Sequence, residues 1–194
     1  METNINQNEA LHKEVMSELL QLYAGKEPVG QDLFHVCVIG SGNEFIRNTL
    51  NGRLIKFKNI SKVKSIGANI PDEKIRYTLM QFALELTRAI VELSGEEGTK
   101  ECFVKNMYDE LHNLYIKKNT DYGDSFHQTY LEEGFAMARI RLSDKINRFD
   151  TLSKTKDLKC MVSDESIIDT LMDALNYSVM TVMEIDRDAK KSAE

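Results

Sequence analysis

The chain has 194 residues, of which 42% are hydrophobic and 29% are charged, proportions typical of a globular protein with one compact domain or two small ones. Only two prolines and ten glycines occur, too few for a loop-rich β-sandwich, and no apolar run approaches the roughly 20 residues of a membrane span. The net charge of −6 argues against broad binding to a nucleic-acid backbone, which needs a basic face, but allows a small basic pocket for one phosphorylated ligand.

Apolar residues recur at helical spacing in six segments of the chain. In the first of these, Leu11, Val15 and Leu19 fall on one side of a helix. The six predicted helices cover residues 9–24, 43–58, 72–94, 102–118, 131–152 and 164–188. The sequence therefore predicts an all-α protein.

The sequence also repeats itself with a shift of 92 residues. Between residues 10–94 and their counterparts, 23 of 85 pairs are identical without a gap, whereas random pairing would give roughly 5 at this composition. We interpret this as a tandem duplication, with a degenerate repeat at 9–100 and an intact repeat at 101–190. Because three helices bury little apolar surface alone, we expect two three-helix repeats to close one bundle core about a pseudo-twofold axis.

The repeat decides how one ambiguous segment is interpreted. FHVCVIGSGNEF, residues 34–45, resembles on its own a strand entering a glycine-rich phosphate loop, but a lone GxG is weak support. Its counterpart, FHQTYLEEGFAM, has the pattern of a loop that enters a helix. We therefore interpret residues 36–60 as mainly helical, with Gly40 and Gly42 at an irregular start.

Acidic residues lie beside the apolar stripe of the last predicted helix. Glu165, Asp169 and Asp173 follow one another at four-residue spacing, where like charges repel unless a cation or water compensates. Asp144 lies on the preceding helix, and clustered carboxylates suit Mg²⁺ or Mn²⁺. The pattern predicts a metal site held by all four, with Asp144, Glu165 and Asp169 as catalytic residues. A merely solvated acidic face is the alternative interpretation.

The two copies differ at these positions, and the difference favours a functional interpretation. The counterparts of Asp144, Asp169, Asp173 and Asn176 in the first copy are Gly52, Tyr77, Gln81 and Leu84. A solvated face would more often exchange one charged residue for another. We interpret the second copy as carrying a working site and the first as having lost it.

The segment KKNTDYGDSFHQTY, residues 117–130, adds candidates for ligand binding. Lys118 can reach a phosphate, and Tyr122 offers a flat face for stacking on a base. Asp121 and Tyr122 have no equivalent in the first copy, whereas Phe126 has one and is interpreted as a packing anchor. The remaining substrate-binding candidates are Arg141, Lys145 and Arg148 for phosphate charge, and Asn176 and Tyr177 for base or sugar.

Three blocks between residues 101 and 186, KKNTDYGDSF, RLSDKINRFDTL and DESIIDTLMDALNYSVMTVME, resemble in order the phage and prophage nucleotide modification associated domain family. More distantly, the last helix is similar to MazG-like all-α nucleotide pyrophosphohydrolases. Those enzymes hold Mg²⁺ with ExxE and ExxD carboxylates and split nucleoside triphosphates between the α and β phosphates. Here Asp144-Lys145 stands where ExxE is expected, and Glu165 and Asp169 are four residues apart. The resemblance implies a MazG-like pseudo-dimeric bundle.

The leading hypothesis is a Mg²⁺-dependent nucleotide pyrophosphohydrolase of phage nucleotide metabolism, acting on dNTPs, NTPs or modified nucleotides. A non-catalytic protein that binds or sequesters nucleotides is the first alternative, and a helical adaptor with solvent-facing acids is the second. The expected partner is a small-molecule nucleotide, with neither a nucleic-acid polymer nor a membrane, and self-association into a homo-oligomer is left open.

Cysteine usage bears on location. Cys37, Cys102 and Cys160 are widely spaced and form no CxxC pair. An odd number of cysteines behind a polar N-terminal segment predicts a reduced, cytoplasmic location, which is the host cytoplasm for a phage protein.

Overall fold

The computed structural model describes residues 2–26, 33–95, 100–154 and 166–193, and over these ranges the chain forms eight helices and no strand. The helices are α1 (Glu2–Lys26), α2 (Leu33–Ser41), α3 (Asn43–Ser65), α4 (Asp72–Ser94), α5 (Lys100–Tyr122), α6 (Ser125–Glu133), α7 (Phe135–Lys154) and α8 (Ile167–Ala193). Within these ranges, no helix is long and apolar enough to cross a membrane. The prediction of an all-α protein is confirmed.

The described ranges contain two more helices than the six predicted, because the short helices α2 and α6 are separate from α3 and α7. Gly42 stands between α2 and α3 with a φ of 57°, and Gly134 stands between α6 and α7 with a φ of 54°. Positive φ angles favour glycine, which has no β-carbon to crowd the backbone. The segment FHQTYLEEGFAM, predicted as a loop that enters a helix, is therefore part of α6 followed by the start of α7, and the irregular start predicted at Gly42 is a break between two helices.

One hydrophobic core runs through both halves of the chain. Helices α4 and α8 pack against each other, and α3 and α7 flank them and contact one another. The apolar stripe predicted for the last helix is confirmed, since Leu171, Leu175 and Val179 are fully buried. Phe57 and Phe149, one from each half, are also fully buried. Burial of side chains of this size stabilises a fold by about 1.5–3 kcal/mol each, so the shared core links the halves energetically.

Positions 92 residues apart occupy corresponding places in the helices. Helices α2 and α6 begin 92 residues apart, and so do α3 and α7. The Arg47 guanidinium donates to the backbone oxygen of Ser153 at 3.5 Å. Its counterpart Arg139 donates to the hydroxyl of Ser61, the counterpart of Ser153, at 3.3 Å. The contact between α3 and α7 is therefore reciprocal.

A histidine–glutamate contact also recurs and ties each short helix to the last helix of its own half. His35 Nδ1 lies 2.6 Å from Glu92 Oε2, and His127 Nδ1 lies 2.6 Å from Glu184 Oε2. Burial raises the pKa of Glu184, while Arg187 and His127 beside it act in the opposite direction. In the second half this contact holds α6 against α8, where the two helices border a cavity.

Candidate functional site

A cavity of about 300 Å³ opens between the end of α5, helix α6, the start of α7 and the middle of α8. Its volume is at the lower end of the range for small-molecule sites. In the part of the chain that the structure describes, the lining side chains are aromatic, cationic, amide, hydroxyl or thioether groups, and none is acidic. Five of the eight residues predicted to bind substrate line it, namely Lys118, Tyr122, Arg141, Asn176 and Tyr177.

Aromatic rings form one wall of the cavity. The rings of Phe126 and Tyr177 are nearly parallel, with centroids 6.2 Å apart and an interplanar angle of 18°. Tyr122 lines the same cavity and is 69% exposed, so it stands at the mouth. Phe126 was predicted as a packing anchor, and the structure makes it a half-buried part of the wall as well. Flat rings at this spacing offer stacking surfaces for a planar ligand.

Two cations stand at the mouth beside these rings. The guanidinium carbon of Arg141 lies 6.0 Å from the Tyr177 ring centroid, within the range of a cation–π contact. The Lys118 side chain is 52% exposed, and its Nζ lies 3.9 Å from Asp173 Oδ1. A planar, forked guanidinium and a mobile ammonium at one opening suit the capture of a phosphate.

Asp173 is held between two ammonium groups. Lys145 Nζ lies 2.7 Å from Asp173 Oδ2, and Lys118 lies near the other carboxylate oxygen. The predicted phosphate-binding residue Lys145 therefore neutralises a predicted metal ligand. Arg148 lies one turn after Asp144 on α7 and is half-buried, outside the cavity lining.

The floor of the cavity contains a hydrogen-bonded chain that begins in the first half of the protein. His12, on α1, is fully buried, and its Nε2 lies 3.3 Å from the Oδ1 of Asn176. The His12 Nδ1 lies 3.0 Å from the Nδ1 of His112, and the His12 ring stacks on Tyr115 with centroids 4.2 Å apart. Burial lowers the pKa of His12 to about 4, while the hydrogen bond that His12 makes to Asn176 raises it and the nearby His112 lowers it further. Burial also lowers the pKa of His112.

The predicted metal ligands do not form a cluster among the described residues. Asp144 is exposed on α7. Asp169 is exposed at the start of α8, where its Oδ2 accepts from the backbone N–H of Ser166 at 2.8 Å and its own N–H donates to the Ser166 hydroxyl at 3.0 Å. This reciprocal pair is a capping box. Within the described ranges, no three His, Cys, Asp or Glu side chains are grouped to hold a metal ion. Glu165 lies outside the described residues, so the metal site stays a prediction.

One further predicted residue lies apart from the cavity. Asp121 is exposed in the last turn of α5, just before Gly123 and Asp124, which both adopt positive φ angles of 62° and 57°. Asp124 accepts a hydrogen bond from Asn8 at 2.7 Å, which anchors this turn to α1. The turn therefore places Tyr122 and Phe126 at the cavity, while Asp121 contributes no lining surface.

The sequence analysis missed three residues of the floor, His12, His112 and Tyr115. Tyr115 could not be found by comparing the two copies, because its counterpart Tyr23 is the same residue type and both are buried. His12 could have been found in this way, since its counterpart Val104 is aliphatic and fully buried. A histidine that replaces a core valine in one copy calls for a hydrogen-bond partner.

Helices α5 to α8, which border the cavity, contain a segment that matches a known family model. Residues 118–185 match the model of nucleotide modification associated domain 1. This match covers about a third of the chain, and every predicted site residue from Lys118 to Tyr177 falls inside it. No curated protein and no solved structure matches the chain. The name of the matched domain associates this part of the chain with nucleotide modification.

Proposed function

We propose that the cavity binds a phosphorylated nucleotide. The observation that carries this proposal is the combination, in one cavity, of the stacked rings of Phe126 and Tyr177, the cations Lys118 and Arg141 at the mouth, and the amide of Asn176 at the floor. A nucleotide has a planar base, a polar base edge and a charged phosphate, and each meets a complementary group. The family match over these helices supports the same ligand class.

The depth of the groups sets the orientation of the ligand. Asn176 is only 6% exposed, whereas the Lys118 side chain is about half exposed. A phosphate keeps much of its hydration at the mouth, while the base loses water against the rings. Stacking of a base on an aromatic side chain is worth about 1–3 kcal/mol, and a charge-assisted contact from Arg141 adds to it. The base therefore points inward and the phosphate outward.

Isothermal titration calorimetry with deoxynucleoside mono- and triphosphates, in buffer with EDTA, tests this proposal. We expect saturable binding, and at least about tenfold weaker binding by the double variant Lys118→Ala/Arg141→Ala, which removes both mouth cations. Lys56→Ala, a change to an exposed lysine on α3 in the other half, is the matched control and leaves the affinity unchanged. Absence of heat with every nucleotide, in a protein that still melts cooperatively, would sink the proposal.

A second candidate is hydrolysis of the bound nucleotide, which we propose on the position of Asp173. This carboxylate lies 3.9 Å from the mouth cation Lys118, on the helix that also carries Asn176 and Tyr177. In this proposal a Mg²⁺ or Mn²⁺ ion, held by Asp144, Glu165, Asp169 and Asp173, supports a MazG-like pyrophosphohydrolase. The described residues alone do not form such a site, because Asp173 is paired with lysines and Asp169 caps a helix.

Pyrophosphate detection separates the two candidates. Protein incubated with each dNTP and Mg²⁺ or Mn²⁺ releases pyrophosphate if it is a hydrolase, and EDTA stops the release. Nucleotide binding without any product, unaffected by EDTA, selects the binding protein over the enzyme.

We also propose that the chain is a fused pair of MazG-like repeats, 9–100 and 101–190, with the site retained in the second. The identities at a shift of 92 residues support it, and so do the matching starts of α2 and α6 and the reciprocal contacts between α3 and α7. Each half supplies four described helices where three were expected. In this arrangement the first half serves as the partner that completes the bundle.

A further inference from the structure

The hydrogen-bonded chain at the cavity floor has a defined direction. Burial lowers the pKa of His12 to about 4 and also lowers the pKa of His112, which favours the neutral imidazole with one N–H in each ring. Because Asn176 Oδ1 is an acceptor, the His12 Nε2 facing it must be the donor. The Nδ1 of His12 is then an acceptor, and it receives the N–H of His112 Nδ1 at 3.0 Å. The two hydrogen bonds therefore have one consistent direction, from His112 to His12 and from His12 to Asn176.

This direction leaves the amide nitrogen of Asn176 for the ligand. The Oδ1 of Asn176 is occupied by His12, whereas its Nδ2 donates to no acceptor among the described residues. Asn176 lines the cavity, and with this tautomer of His12 its amide keeps Oδ1 toward the ring, since a flipped amide would direct an N–H at the His12 N–H. The floor therefore presents a hydrogen-bond donor.

The other half shows that the fold does not need this polar chain. The counterparts of His12, Asn176 and His112, at a shift of 92 residues, are Val104, Leu84 and Leu20. Val104 and Leu84 are buried in the core, and Leu20 packs against it. Aliphatic residues fill these positions without the desolvation of buried polar groups. The three hydrogen-bonding residues occur together only where a cavity borders them, which indicates a role toward the ligand.

We propose that Asn176, held by His12, selects a nucleobase that presents a keto oxygen rather than an exocyclic amine to the cavity floor. Uracil, thymine, guanine and hypoxanthine carry such an oxygen, where cytosine and adenine carry an amine. An amine at this place would meet the Asn176 N–H donor to donor. This inference rests on the proposed nucleotide binding. It assigns Asn176 as a specificity residue and His12 as a positioning residue.

Calorimetry with two pairs of ligands tests the inference, because one member of each pair carries a keto oxygen where the other carries an exocyclic amine. The probes are dUMP against dCMP and dGMP against dAMP. We expect the keto member of each pair to bind roughly 5- to 150-fold more tightly, the range for leaving a buried donor without an acceptor. Equal binding within both pairs, or preference for the amino members, would overturn the base selection and leave nucleotide binding standing. Absence of binding by all four would overturn nucleotide binding itself.

Variants separate selection from simple structural support. Asn176→Asp replaces the donor by an acceptor, so we expect the preference to reverse toward dCMP and dAMP. His12→Phe removes the hydrogen bond that orients the amide, and we expect it to reduce the keto preference to less than about threefold. His12→Gln keeps a hydrogen-bond donor at this position, and we expect it to retain the keto preference. His35→Phe, which changes another histidine of the first half that does not line the cavity, is the control and keeps the wild-type preference. A keto preference unchanged in Asn176→Asp would contradict the assignment.

Discussion

The two halves of this protein share a scaffold and differ at the place where one of them has a cavity. In the second half, Phe126 borders the open cavity beside Met180 and Met137. In the first half, the corresponding residues are Phe34, Arg88 and Phe45. The guanidinium carbon of Arg88 lies 5.1 Å from the Phe34 ring centroid, and Phe45 packs edge-on against the same ring at 5.3 Å. Larger side chains therefore cover the ring that the second half exposes to its cavity.

A second exchange changes the charges around the site. The counterparts of Lys145 and Tyr177 are Arg53 and Glu85, which form a salt bridge of 2.9 Å across α3 and α4. In the second half, the aromatic ring of Tyr177 takes the place of that carboxylate, and Lys145 pairs with Asp173 instead. This helical scaffold can therefore carry or lose a binding site through a few side chains.

The largest expected effect concerns the core that both halves share. Phe57→Ala and Phe149→Ala, at corresponding and fully buried positions, should each lower the free energy of unfolding by about 3–5 kcal/mol. Because the core is continuous, we expect one cooperative transition for each variant in urea unfolding followed by circular dichroism. Two separated transitions would show instead that the halves unfold independently.

The polar floor predicts a pH dependence that its apolar counterpart lacks. Folding lowers the pKa of His12 from 6.5 to about 4, so the native state binds fewer protons than the unfolded chain in this range. The contribution of neutral His12 to the free energy of unfolding is complete above pH 6.5. It is lost as the pH falls from 6.5 toward 4, by roughly 3 kcal/mol in total.

Urea unfolding at pH 7.5, 5.5 and 4.5 measures this loss. The double variant His12→Val/Asn176→Leu introduces the pattern of the first half, as its counterparts are Val104 and Leu84. It should show a flatter pH dependence than the wild type. The same slope in both proteins would mean that His12 does not titrate as described.

If the cavity of the second half is filled with the larger side chain found in the first half, nucleotide binding should be lost. Met180→Arg introduces at position 180 the arginine that the first half has at position 88, so that it lies against Phe126. We expect nucleotide affinity to fall at least tenfold, about 1.4 kcal/mol, with the melting temperature little changed. Arg88→Met is the matched control in the first half and should leave the affinity as it is. Full affinity in Met180→Arg would place the ligand elsewhere.

Substitutions in the capping box, which should cause the smallest loss of stability, distinguish a capping role of Asp169 from a metal-binding role. Helix α8 begins with the Ser166–Asp169 capping box, whereas α4 begins after Pro71 without a side-chain cap. Ser166→Ala and Asp169→Ala should each lower stability by about 1 kcal/mol, measured by urea unfolding. If Asp169 only caps the helix, neither variant changes Mg²⁺-dependent pyrophosphate release. A loss of release in Asp169→Ala alone would favour the metal site.

Local patterns accounted for the parts of the fold and site that lie close together in the chain. The apolar stripe of α8 was predictable because helical periodicity is a local property, and Leu171 and Leu175 follow it to full burial. Lys118 and Tyr122 were predictable for the same reason, since a single turn of α5 places them at one opening. Helix α6 was not predicted as a separate helix, and α2 was predicted only as the irregular start of a longer one, because a glycine directly after each interrupts the pattern.

The sequence alone predicts an all-α chain with an internal repeat, and it places cationic, aromatic and amide candidates on the helices of the second half. Which of these candidates meet depends on how the helices pack. The packing pairs Asp173 with Lys118 and Lys145, and it brings His12 under Asn176 across 164 positions of the chain. Helix periodicity gives the face on which a side chain lies, but the packing of α1, α5, α7 and α8 sets which faces come within a hydrogen bond of each other.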